Sequence, residues 1–197
     1  MSERHWAITG RTLTALAVLS AILIAVAVVA MLRTGVSART GPTKPETMVA
    51  RTMRHFAVPA AARSMPNPVP LTPAVLAEGR AHFADHCAVC HANDGSGATE
   101  MGQNLYPKPP DMRKQSTQRL SDGEIFFIVK DGVRLTGMPA WGDAAGRDDQ
   151  ETWKLVHFIR HLPAITPQEL EEMKRLNPVS HEEAEEKEFL EGAHEAH

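Results

Sequence analysis

The two cysteines of the chain, Cys87 and Cys90, stand in one run, Cys87-Ala88-Val89-Cys90-His91. This is the spacing of c-type haem attachment. Both thiols add across the vinyl groups of one porphyrin edge, and His91 then lies beneath the iron as its proximal ligand. At the end of a helix the three side chains are held in one orientation. Other chemistries want other surroundings. A thioredoxin-like CxxC needs a βαβ context, which the sequence lacks. A zinc site needs a fourth ligand beyond Cys87, Cys90 and His91, and there is no second CxxC. Two cysteines also exclude a disulfide-stapled scaffold.

The iron needs a sixth ligand, and Met138 in Thr136-Gly137-Met138-Pro139-Ala140-Trp141 is the best placed, 47 residues after His91. Pro139 fixes its φ and stiffens the turn, while Gly137 permits a close backbone approach to the ring. A thioether is soft, favours ferrous iron and raises the reduction potential. The other methionines sit less well. Met101 and Met112 fall in the loop near His91, Met48, Met53 and Met65 before the core, Met31 in the apolar run and Met173 near the end. His82 or His157 would give bis-histidine iron at lower potential instead. His55, His86 and His161 read as ordinary surface or core histidines.

Helices must carry these groups. Thr72-Pro73 offers an N-cap with proline at the first helical position, and Leu76, Gly79 and Phe83 then share a face. Gly79 lowers helix stability by about 1 kcal/mol against alanine, which the close approach of another helix would explain. Ser121 to Glu124 has capping-box spacing before a strongly apolar run, and Asp131-Gly132 ends it. A third helix is expected from Asp148, with Glu151 at the capping-box position, ending at Pro163. A short polar helix is expected from Thr166 to about Leu176. Strand alternation is weak, so the fold class is all-α, with Gly/Pro loops over about 92–116. Some 90 residues with three modest helices bury little surface unaided, so something else should fill the centre.

The flanks differ in charge. Net charge is +1 over 1–32, +5 over 33–72, −2 over 73–162 and −7 over 163–197, giving −3 for the 197 residues. That near balance gives no reason to expect a nucleic-acid partner. Residues 13–32 are uncharged and about 30 Å long as a helix, the length of one hydrocarbon core. We therefore divide the chain into a short cytoplasmic N-terminus (1–12), a transmembrane anchor or uncleaved signal (13–32), a Pro-rich basic stalk (33–72), the core domain (73–162) and an acidic extension (163–197). Val36-Ser37-Ala38 also resembles a signal-cleavage site. Six prolines in the stalk are expected to break regular structure, and its arginines could touch anionic headgroups. More basic residues follow the span than precede it, which alone would put the core domain in the cytoplasm.

The stretch Glu78-Gly79-Arg80, Phe83, Cys87-x-x-Cys90-His91, Asp94-Gly95-x-Gly97 and Gly137-Met138-Pro139 resembles mono-haem class I cytochromes c. The haem domains of bacterial cbb3-type oxidase subunits are the most similar group. The resemblance covers 73–162. It implies a cytochrome c fold, three main helices around one covalent haem c, with the N-terminal transmembrane helix outside it. It implies cofactor binding by Cys87 and Cys90 and axial iron ligation by His91 and Met138. The first and last helices should cross with Gly79 and Phe83 against Trp153 and Phe158. A loop proline (Pro107, Pro109 or Pro110) should accept the ring N–H of His91 through its carbonyl. Trp141 either donates to a haem propionate or simply packs. Covalent haem attachment in this class takes place outside the cytoplasmic membrane, which outweighs the charge bias and puts the domain on the periplasmic side of a single-pass inner-membrane anchor.

The expected function is one-electron transfer between respiratory partners, not catalysis. A quinol-oxidising complex or dehydrogenase would lie upstream and a terminal oxidase or reductase downstream. Two alternatives stand beside it: a haem-based small-ligand enzyme or sensor with a labile methionine, and a fixed cytochrome subunit of a larger oxidoreductase. In the tail, His194 and His197 are spaced to share a metal on a helix, although a solvated acidic tail is the simpler reading.

Overall fold

The computed structural model describes residues 2–34, 37–142 and 149–178. His194, His197, Asp148 and Val36 lie outside the described residues. Helices account for the described regular structure, and no strand occurs among the described residues. Contacts divide the chain into Met1–Ala38 and Arg39–His197.

The first unit is one helix, α1 (Ser2–Thr34). Its stretch Gly10–Ala30 is long and apolar enough to cross a membrane. Leucine, isoleucine and valine side chains around it stand exposed, the surface such a span offers to lipid.

The second unit holds α2 (Lys44–Ala57), α3 (Ala60–Arg63), α4 (Pro73–His82), a π-helical turn (Phe83–Cys87), α5 (Ala88–His91), α6 (Glu100–Gln103), α7 (Gln115–Gln118), α8 (Asp122–Asp131), α9 (Gln150–His161), a 3₁₀ turn (Leu162–Ala164) and α10 (Pro167–Lys174). The caps read from sequence form. Thr72 accepts from Val75 N–H, and both Ser121/Glu124 and Thr166/Glu169 close as reciprocal capping boxes. The third helix differs. It is described from Gln150 with Asp149 as N-cap, no side-chain cap bond forms, and Glu151 pairs with Lys154 at 2.5 Å instead.

The core forms where α4 and the π turn cross α9. A Cβ at Gly79 would collide with the Lys154 carbonyl and lie 3.3 Å from Phe158 Cβ, so only glycine admits this crossing. One turn on, Phe83 meets Phe158 with ring centroids 5.1 Å apart. Trp153 does not join that pair as expected. It stacks on Phe126 of α8, centroids 3.9 Å apart, because its position on α9 faces α8. Phe83, Phe158, Leu155, Val156 and Leu162 are essentially inaccessible. Each such side chain contributes about 1.5–3 kcal/mol by leaving water. Arg160 ties α9 to the start of α8 through Asp122 at 2.8 Å and the Gln118 carbonyl at 2.7 Å.

The expectation that prolines break all of 33–72 is corrected. Pro45 falls at the start of α2, where no backbone N–H is needed, and Thr43 and Glu46 close a capping box. Beyond α2 the chain straps onto the domain. Ala62 is buried against Gly123 of α8, Asn67 donates to the Trp153 carbonyl at 2.9 Å, and Val69 packs on the core. The extension after 163 docks as well. Met173 of α10 is fully buried, and Glu169 meets Arg80 at 3.3 Å and His161 at 2.9 Å. An amphipathic turn this short gives no sign in sequence that its one methionine is a core residue.

Candidate functional site

The π turn ends at Cys87 and hands the chain to α5, so the five residues from Cys87 to His91 run along one short helical segment. Cys87, Ala88 and His91 face inward; Cys90 is half-buried and Val89 exposed. The thiols are free. Ala92, at φ +59°, turns the chain out of α5 into the loop. That loop folds back on the motif: Gly97 N–H donates to the His91 carbonyl at 2.8 Å, and Met112 N–H to the Gly95 carbonyl at 2.8 Å. Asp94 caps Ser96 N–H at 2.9 Å and pairs with Arg113 at 2.7 Å. Arg113 also binds Asp111, and that side-chain hydrogen bond is the main reason the Asp111 carboxyl falls to about 2.

The sequence pointed to neither Thr99 nor Gly102, yet both brace the motif. Thr99 Oγ1 donates to the Cys90 carbonyl at 3.3 Å and accepts from Gly102 N–H at 2.8 Å. A Cβ at Gly102 would collide with that same Cys90 carbonyl, so α6 lies directly on the back of α5. The readable signal was Thr99 as an N-cap one residue before α6.

Met138 is presented by a tight loop fastened to the end of α8. Its N–H donates to Thr136 Oγ1 at 3.1 Å and its carbonyl accepts from Val133 N–H at 3.1 Å. Trp141 and Gly142 N–H groups bond the Val129 and Lys130 carbonyls. With the Met138 backbone committed on both sides, only its half-buried side chain remains to act. Gly137 does bring the backbone close to a neighbour, namely Leu105, whose Cδ2 would lie 2.7 Å from a Cβ there. Val89, Met101 and Leu135 are 55%, 53% and 90% exposed, an apolar fringe on these elements.

The other candidates are placed elsewhere. His157 donates through Nε2 to the Val69 carbonyl at 2.7 Å, on the strap side. His82 lies 3.6 Å from Glu151 and edge-on to His86, centroids 4.8 Å apart. Met112 and Met173 belong to the core. Trp141 is half-buried against the core and edge-on to His86 at 5.4 Å.

The electrostatics separate the competing chemistries. Burial, and to a lesser degree Cys90, pushes the Cys87 thiol up to about 12, and burial raises Cys90 too. A redox-active CxxC site needs the opposite, a stabilised thiolate. Among the described residues no cluster of three or more His, Cys, Asp or Glu side chains is arranged to hold a metal ion. Burial takes His91 down to about 4, so its imidazole is neutral with a lone pair to give. Its Nδ1 is buried without a hydrogen-bond partner, and the carbonyls of Pro107, Pro109 and Pro110 do not accept from it. Two protonated thiols, a neutral buried imidazole with one orphaned nitrogen, and an apolar fringe fit a covalently held haem at this site.

Comparison with known proteins agrees. Residues 74–159 match the family described as cytochrome C oxidase, cbb3-type, subunit III. No curated protein matches the chain.

Proposed function

We propose that residues 74–159, a c-type cytochrome domain of the cbb3 type, serve here as a one-electron carrier tethered to a membrane by Gly10–Ala30. Domains of this family bind covalently attached haem c and transfer electrons through it. The haem, when bound, supplies the Fe(II)/Fe(III) couple. We assign Cys87 and Cys90 to its one attachment site and His91 and Met138 to its axial positions. The observation that carries this reading is the Met138 loop: both backbone groups of Met138 are hydrogen-bonded, which holds its backbone in a turn fastened to the end of α8.

The residues then have separate tasks. Cys87 and Cys90 hold the cofactor through thioether bonds. His91, kept neutral by burial, offers its lone pair on one side, and the Met138 thioether offers a soft donor on the other. With His91 and Met138 both holding the iron, no position would be left open for substrate, which would favour electron transfer over turnover. Val89, Met101 and Leu135 exclude water at the rim. Partners would meet the domain near Cys87 and Cys90, in the small transient contacts usual for electron carriers. A quinol-oxidising complex or dehydrogenase as donor and a terminal oxidase or reductase as acceptor suit this role, with the domain on the periplasmic side of an inner membrane.

Met138→Ala tests the assignment. The ferric protein should lose its sulfur-to-iron charge-transfer band, and the reduced protein should gain rapid carbon monoxide binding. A retained band would place the sixth ligand elsewhere. A second reading, a fixed subunit of an oxidase, follows from the description of the matching family. Purification in mild detergent separates the two: a free carrier comes alone, a subunit with stoichiometric companions.

A further inference from the structure

The α2 helix lies outside the matched residues 74–159, yet it is well built. Its capping box is complete, with Glu46 accepting from Thr43 N–H at 2.6 Å. Its sequence is strongly two-sided. Val49, Met53 and Phe56, at i, i+4 and i+7, share one arc with Pro45. They stand 52%, 64% and 79% exposed. The domain helices do the reverse and turn their large apolar residues inward. Lys44, Arg51 and Arg54 occupy the opposite arc of α2. The one carboxylate of the helix, Glu46, is folded back onto its own N-terminus, and its ionisation is favoured first by Thr43 and least by Tyr106.

We infer that α2 lies in the headgroup region of an anionic bilayer, with Val49, Met53 and Phe56 inserted and Lys44, Arg51 and Arg54 at the phosphates. Apolar residues on one arc and Lys/Arg on the other are the composition of an interfacial helix. Two observations select the membrane as occupant of this face. The basic arc complements anionic lipid, to which each Lys or Arg near the surface adds attraction. The chain also leads there: nine residues, 35–43, join the end of α1 to the start of α2, a reach of about 30 Å at most. The inference rests on reading Gly10–Ala30 as a span. It also accounts for three of the basic residues following that span, Lys44, Arg51 and Arg54: they belong to a surface helix and need not report which side is cytoplasmic.

The test uses the full haem-loaded chain in phosphatidylcholine vesicles, with and without phosphatidylglycerol. Met53→Cys, Phe56→Cys and Arg51→Cys each carry an environment-sensitive fluorophore, since Cys87 and Cys90 are consumed as thioethers. Nitroxide on the lipid chains should quench labels at 53 and 56 several-fold more than at 51, and the difference should shrink without phosphatidylglycerol. Met53→Glu combined with Phe56→Glu, read by a label at 49 (Val49→Cys), should abolish that quenching while the visible spectrum is unchanged. Equal quenching at 51, 53 and 56, or none at any, overturns the inference. Shielding that rises with protein concentration but not with lipid quencher assigns the face to a second copy and overturns it too. Alkaline carbonate separates the premises: release of the chain removes the span itself, whereas unquenched labels on a chain that stays in the membrane remove only the α2 assignment.

Discussion

Where α4 crosses α9, the domain closes on its own side chains; around Cys90 and Met138 it does not. At the crossing a glycine, two phenylalanines and a leucine fit almost without residual exposure, and of the adjoining Arg80 only Nε lacks a partner. Across the domain, loops replace helices, and the same chain turns Val89, Met101 and Leu135 outward while leaving a buried imidazole nitrogen unpaired. One half is stabilised by hydrophobic burial that needs no further component. The other is shaped by backbone hydrogen bonds that hold a few side chains in place, and its apolar surface suits a large flat cofactor.

That contrast can be tested from its strongest consequence downward. Cys87→Ala together with Cys90→Ala should remove covalent haem entirely, so that haem staining vanishes on a denaturing gel while helical circular dichroism persists. Staining that survives would put attachment elsewhere. Phe158→Ala should lower stability by about 3–5 kcal/mol in urea titrations of the holoprotein, against a change within about 0.5 kcal/mol for exposed Leu135→Ala. Similar values at the two sites would erase the distinction between the halves.

The α10 clamp adds a pH-dependent increment to the closed half. Burial works against charge on Glu169, but Thr166 and His161 outweigh it and bring the carboxyl from 4.5 to about 2. The folded value lies below the unfolded one, so this stabilisation is complete above about pH 4.5 and is lost as pH falls towards 2. Wild type should therefore lose more Tm between pH 6 and pH 3 than Glu169→Gln, by the equivalent of about 1 kcal/mol. Parallel losses would remove Glu169 from the account. The smallest effect belongs to the loop half: Arg113→Gln, on a partly exposed pair with Asp94 and Asp111, should cost less than about 1 kcal/mol in thermal unfolding.

Legibility in the sequence follows the range of the interaction. Cys87, Cys90 and His91 lie within one turn, so their chemistry can be read directly. Caps at Thr72, Ser121 and Thr166 are readable because each bond spans three residues. Gly79 is readable as a contact, but the neighbour of Trp153 is not, since facing Phe126 or Phe83 depends on where α8 lies. Thr43 to Glu46 has the same spacing as Ser121 to Glu124, yet Pro45 between them reads as a breaker until the fold shows it to be the second helical residue. Burial of Met173 and Ala62 depends on docking of short flanks, which no local pattern encodes. The proposed thioether role of Met138 comes from its spacing in the sequence; what the sequence does not show is that its backbone is fastened to Thr136 and Val133.

The π turn at Phe83–Cys87, where Ala88 N–H reaches back to the Phe83 carbonyl, carries one more residue than an α-helical turn would hold. Were the same residues wound as regular α-helix, with none removed, everything after them would swing by roughly 100° about the axis. Phe83 would still sit in its socket, but the thiols and imidazole would look the wrong way. This one surplus residue acts as an angular offset between the part of the helix that folds the protein and the part that equips it.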